Sequence, residues 1–142
     1  MDSERRFCTV FVGGLWFGIQ NEGVREVLRQ QAVTRVPLAP PEIAGLINMR
    51  GQIVTVIDLR LCLKMAPRSV DQAAMNLVLS SDGGAVGLLV DDVGEVVQAA
   101  EDRYETMPES LPAEARELVA GVYKLPDGLL HVLAIEAVVA PP

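Results

Sequence analysis

The sequence predicts a mainly β fold built from two small, similar lobes that share a hydrophobic seam, with only short helices. Three observations carry this. Half of the 142 residues are apolar, and they fall in short runs separated by Gly-Gly and Asp-Gly pairs, the pattern of strands joined by tight turns. The chain repeats itself: "GGLWFGIQNEGVREV" at 13–27 is answered by "GGAVGLLVDDVGEV" at 83–96, and "AGLINMRGQIVTVIDL" from Ala44 by "AGVYKLPDGLLHVLAIEA" from Ala120. Finally, each half holds only four or five strand signals, too few to be stable alone, so a shared core is required.

The elements follow in order. "RFCTVFVGGLWFGIQ" reads as a hairpin turning at Gly13-Gly14. In "NEGVREVLRQ", Asn21 can cap a helix, and Val24, Val27 and Leu28 form an i, i+3, i+4 stripe, which predicts a helix of two or three turns. "VTRVPLAPPEIAG" carries three prolines and reads as an extended loop ending in a turn at 42–44. A second hairpin follows, with 45–49 and 52–59 flanking Arg50-Gly51. "RLCLKMAPRSVDQ" is a crossover. Gly83-Gly84 and Asp127-Gly128 then mark two more hairpins, separated by a polar, proline-interrupted stretch.

The net charge of −7 is uneven. Residues 1–70 carry nine Lys or Arg against six Asp or Glu, and residues 71–142 carry three against thirteen. No basic stripe suggests nucleic acid. No apolar run reaches the roughly 18 residues a membrane helix needs, and the N-terminus lacks a signal-peptide pattern, so a cytoplasmic location without membrane insertion is expected. Cys8 and Cys62 each sit in an apolar run and are expected as buried free thiols.

Catalysis finds little support. His131, the only histidine, alternates with Leu130 and Val132 in a strand and reads as structural or surface-facing. Neither cysteine has a histidine near it in sequence to act as its base. Asp91-Asp92 reads as a solvated turn, since adjacent strand residues point to opposite faces. "GGLWFG" lacks the lysine and serine or threonine of a phosphate loop. No catalytic residue, metal ligand or cofactor is expected, and binding is the leading class.

Arg50 stands out at a hairpin tip, where Gly51 is free to adopt positive φ and the guanidinium offers five donors. Asp58 ends the apolar run "IVTVI" and is suited to accept backbone N–H groups or to pair with Arg50 or Arg60.

The stretch "VREV…VTRVPLAPPEIAGLINMRGQIVTVIDLR" closely resembles the CheW family of bacterial chemotaxis coupling proteins, and the likeness extends over about residues 5 to 139. The resemblance implies a single domain, 5–139, of two five-stranded SH3-like barrel subdomains. Its repeat units are roughly 7–62 and 73–139, with exchange of strands between lobes left open. It also implies a non-catalytic adaptor linking the cytoplasmic tips of methyl-accepting chemoreceptors to a CheA-like histidine kinase in a membrane-associated array. The alternative is a localisation or array-organising module without direct kinase control.

On matching positions, the resemblance assigns Val24, Val27 and Leu28 to receptor binding. It assigns Ile43, Leu46, Asn48, Arg50 and Gly51 to the kinase-facing or interface-supporting side, and Gly45 and Asp58 to structure. Met49 replaces the usual leucine and Thr55 the usual proline. The short acidic stretch 102–115 points to a specialised, non-flagellar pathway.

Overall fold

In the computed structural model, residues 4–29, 33–69, 71–81, 84–100, 103–105 and 113–139 are described. Gly13-Gly14 turns the first apolar run back on itself, so that β1 (Glu4–Val12) pairs antiparallel with β2 (Leu15–Gln20). A single 3-10 turn, Asn21–Gly23, leads into β3 (Val24–Arg29). The second hairpin is β4 (Ile43–Met49) and β5 (Gln52–Asp58), followed by the four-residue helix α1 (Leu59–Cys62). Next come β6 (Met75–Ser81), β7 (Gly84–Val90), β8 (Asp92–Ala100) and the two-residue strand β9 (Tyr104–Glu105). Helix α2 (Ala113–Arg116) precedes the last hairpin, β10 (Val119–Leu125) with β11 (Gly128–Leu133), and α3 (Ile135–Val139) follows it. Gly83 and most of 102–115 lie outside the described residues.

Two of the expected local elements take a different form. The predicted helix at 21–30 is a strand. Val24, Glu26 and Leu28 are half-buried while Arg25, Val27 and Arg29 are exposed, an alternation of period two. A two-turn helix is marginal in water, whereas β3 gains a full ladder against β6, with Val27 opposite Leu77 and Leu28 opposite Asn76. The turn expected at 42–44 falls at Pro41-Glu42, because Ile43 already pairs with Ile57.

The strands form two sheets, ordered β8-β1-β2-β11-β10-β9 and β3-β6-β7-β5-β4. Each takes strands from both halves of the chain. The repeat holds residue by residue. Val10 opposite Phe17 becomes, 69 residues on, Leu79 opposite Val86, and Cys8 opposite Ile19 becomes Leu77 opposite Leu88. Gly45 opposite Val56 becomes, 76 residues on, Gly121 opposite Val132. Even the parallel contacts correspond, Thr55–Val86 and Val56–Gly87 in one sheet and His131–Phe17 and Val132–Gly18 in the other.

The first sheet has six strands where five were expected, because β9 pairs with the outer edge of β10. Its counterpart in the second sheet is a single bridge, in which Thr34 and Leu46 exchange two backbone hydrogen bonds of 2.8 Å. This explains the repeated Ala-Gly pair. A Cβ on Gly45 would strike the Thr34 carbonyl and Val33, and one on Gly121 would strike the Tyr104 ring. Both glycines leave room for a chain that crosses over them.

The core has three parts. A large central cluster draws Val10, Val12, Phe17 and Ile19 from one sheet and Ile57, Leu77, Leu79, Leu88 and Val90 from the other, with Leu59, Leu63 and Val138 from the connections. Phe7, Ala99, Tyr123, Leu130 and Val132 fill the six-stranded lobe, and Ile47, Val54, Val56, Ala74 and Leu89 fill the five-stranded one. The central strands thus bury both faces: Leu88 faces the shared seam and Leu89 its own lobe.

Gly45→Ala is expected to lower the unfolding free energy in urea by about 2 kcal/mol or more, since its φ of 147° and the Thr34 carbonyl both oppose a side chain. Gly14→Ala, at a φ of 81° but with open space around it, is expected to cost only about 1 kcal/mol.

Candidate functional site

The β4–β5 hairpin closes with a two-residue turn. Met49 faces Gln52, and both central residues have positive φ, 55° at Arg50 and 84° at Gly51, the conformation that matches the twist of a hairpin. The Asn48 side-chain oxygen accepts the Gly51 N–H at 2.9 Å and braces the turn. Arg50 then reaches across to the opposite edge strand of the sheet, β3, where its Nη2 lies 2.7 Å from Oε1 of Glu26. The arginine side chain is 76% exposed and the glutamate 25%. The clasp therefore presents a cation on a fixed stem while most of the guanidinium stays open to a partner.

The other expected positions separate by face. Val24 packs against the shared core and Leu28 against the core of the five-stranded lobe, while Val27 points outward and is 40% exposed. The apolar stripe that a helix would have made from the three does not exist. Ile43 packs against the shared core. Leu46 is half-buried, and its backbone N–H and carbonyl are both taken by Thr34, so at that residue the edge of β4 is already occupied. Ile53, at 60% exposure, lies beside the Arg50 turn as an apolar neighbour.

Asp58 caps α1, with its Oδ1 accepting the Arg60 N–H at 3.0 Å. The ionic partner is neither Arg50 nor Arg60 but Arg68, whose Nη1 lies 3.9 Å from Oδ2. Arg68 in turn belongs to Asp91: its Nε donates to Oδ1 at 2.9 Å, and Nη2 is 2.7 Å from the same oxygen. Oδ2 of Asp91 accepts the Gly13 N–H at 2.8 Å, and Arg60 Nε stands 3.8 Å from Oδ1.

Asp91 is thus not the solvated turn residue expected of it. It sits where the chain passes from one sheet to the other, and its side chain is 15% exposed against 8% for Arg68. The legible signal was its place directly after the buried run "GLLV", where a carboxylate needs a partner. Arg68, in an irregular crossover, gave no such sign.

The groups suited to nucleophilic chemistry are quiet. Burial, with the Glu42 and Asp58 carboxylates adding to it, pushes the Cys62 thiol up to about 11, and burial raises Cys8 as well. Cys8 is buried as expected, whereas Cys62 is only partly so. His131 is buried, with Nδ1 2.9 Å from the Trp16 carbonyl. Among the described residues no three His, Cys, Asp or Glu side chains converge as a metal site.

Asp91→Ala leaves Arg68 buried beside too little negative charge and is expected to cost about 3 kcal/mol by chemical denaturation, part of it recovered in an Asp91→Ala, Arg68→Met double variant. Asp58→Ala is expected to cost about 1 to 2 kcal/mol through the lost cap and weakened pair. The raised Cys62 thiol favours the folded state fully below its ordinary value of 9.0, and that contribution fades as pH climbs toward about 11. Denaturation midpoints across this range are expected to fall, with a shallower fall for Cys62→Ala.

Comparison with known proteins places these features. Residues 6–141 match the CheW-like domain. The chain is 28% identical over 133 residues to the chemotaxis protein CheW of Bacillus subtilis (strain 168), covering 94% of this chain and 85% of that one. It is 30% identical over 132 residues to the chemotaxis protein CheW of Klebsiella aerogenes, covering 93% and 80%. Among solved structures, the scaffolding protein TtCheW from Thermoanaerobacter tengcongensis superposes with a TM-score of 0.81 at 26% identity, over 91% of this chain and 88% of that one. The interleaved sheets, the repeated hairpins and these matches over nearly all of its length show that the chain belongs to the CheW-like domain family.

Proposed function

We propose that this protein is a coupling adaptor, carrying signals between the cytoplasmic tips of methyl-accepting chemoreceptors and a CheA-like histidine kinase, and that it performs no reaction itself. The observation that carries this is the match to the CheW-like domain over residues 6–141, with a solved relative described as a scaffolding protein. The quiet thiols and the buried, hydrogen-bonded histidine agree with a binding role. No helix among the described residues is long and apolar enough to cross a membrane, so array association in this reading comes from protein contacts, weak singly and strengthened by multivalency.

In this reading Arg50, held by Glu26 and braced by Asn48 and Gly51, is an interface residue. Val27, the outward-facing member of its group, is the receptor contact, and Val24 and Leu28 support it from beneath. Ile43 and Leu46 act by shaping β4, and Gly45 and Asp58 act through stability. The specialised, non-flagellar pathway is part of the same proposal.

The test is reconstitution of receptor-bearing membranes, kinase and this protein, reading kinase autophosphorylation with and without receptor stimulus. Receptor-dependent control of the kinase is expected. Array formation without kinase control would favour the localisation module. Arg50→Glu is expected to reduce coupling at least tenfold while changing stability by under about 1 kcal/mol, because exposed ion pairs contribute little. A large drop in melting temperature would make Arg50 structural instead.

A further inference from the structure

The two lobes are copies in backbone but not at their tips. In the five-stranded lobe Arg50 at the hairpin turn grips Glu26 on the edge strand. In the six-stranded lobe the position of Glu26 is held by Glu95, since Val96 faces Cys8 as Val27 faces Leu77. The positions of Arg50 and Gly51 are held by Pro126 and Asp127, between the paired Leu125 and Gly128. The glutamate has been kept, the arginine has been lost, and a second carboxylate stands in the turn. Lys124, the nearest cation along that hairpin, is already 2.9 Å from Glu105.

The surface between these groups differs as well. Where the five-stranded lobe has Ser80 and Ala85, the corresponding positions on β1 and β2 are Phe11 and Trp16. With Leu129 and Val97 they line an open groove of about 730 Å³ that crosses β8, β1, β2 and β11. Glu95 and Asp127 sit on its wall, and no lysine or arginine lines it among the described residues. Phe11 and Leu129 are each 40% exposed. An aromatic floor with two carboxylates at the rim, neither of them in an ion pair among the described residues, suits a cation that also offers apolar surface.

We propose that this groove is the socket for an arginine of a partner protein, carried on a turn or chain end beside an aliphatic residue. The guanidinium takes the place that Arg50 takes in the other lobe, bonding Glu95 and Asp127 and lying against Trp16. The aliphatic neighbour covers Phe11 and Leu129. Guanidinium rather than ammonium fits because its planar fork meets a carboxylate and an aromatic face at once, and the chain's own clasp supplies the template on an equivalent glutamate.

Trp16 is the chain's single tryptophan, so its fluorescence reports occupancy directly. The probe is an acetylated, amidated Leu-Arg-Gly-Ile peptide, titrated beside its citrulline counterpart, which keeps the shape and removes the charge. A saturable change with the arginine peptide is expected, at least about tenfold weaker with citrulline and in Glu95→Gln and Asp127→Asn, both exposed positions, and weakened by salt. Equal responses to the two peptides, or unchanged affinity in both variants, would overturn the proposal. Sedimentation of the protein alone adds a further arm. Concentration-dependent oligomers lost in both Glu95→Gln and Arg50→Gln would make the occupant a second copy of this chain and overturn the assignment to a different partner.

Discussion

Everything in this molecule depends on the apolar seam between its two sheets. Val10, Phe17 and Ile19 on one side and Leu77, Leu79 and Leu88 on the other are almost completely withdrawn from solvent, and burial on that scale is the main source of stability available to a small β protein. The chain passes from one sheet to the other between β2 and β3 and returns between β7 and β8. Each lobe therefore combines the opening hairpin of one half with the later strands of the other, so neither half of the sequence corresponds to a self-sufficient lobe.

That interleaving sets where the structure tolerates charge. At the return crossing, Asp91 meets Arg68, Arg60 and the Gly13 N–H, tying the β1–β2 turn, α1 and the crossover to one point. A network of this kind adds modestly to net stability when intact and costs heavily when half of it is removed. Among the described residues it has no copy at the other crossing: the position matching Asp91 is Glu22, in the 3-10 turn, and the position matching Asp58 is Ala134. The repeat has kept its core and its register and diverged at crossings and tips, where side chains can change without disturbing the seam.

The family reading and the local clasp follow from the same geometry. A tight turn whose two central residues both have positive φ holds Arg50 out on a stiff hairpin, and Glu26 accepts a hydrogen bond from Nη2 at one edge of its guanidinium. The result is a rigid, charged tip on a scaffold in which burial raises both thiols and His131 lies buried against the Trp16 carbonyl. Such a surface is suited to recognition, and the corresponding tip of the other lobe, with its aromatic floor and two carboxylates, has the opposite charge character.

Much of this was legible in the residues alone. Glycine and Asp-Gly pairs marked the hairpins because turn geometry is local. The internal repeat pointed to two like lobes, and the Asn-Met-Arg-Gly turn singled out Arg50, because both are statements about neighbours in sequence. The helix expected at 21–30 failed because a spacing of three and four residues over Val24, Val27 and Leu28 cannot be told from an alternating strand in so short a window; the ladder offered by β6 decided it. Arg68 as the partner of Asp58 and Asp91, β9 as a sixth strand, and the sheet to which each strand belongs were all settled by tertiary structure. Each depends on segments far apart in sequence meeting across the seam, and the energy of such a meeting is written in no single stretch of the chain.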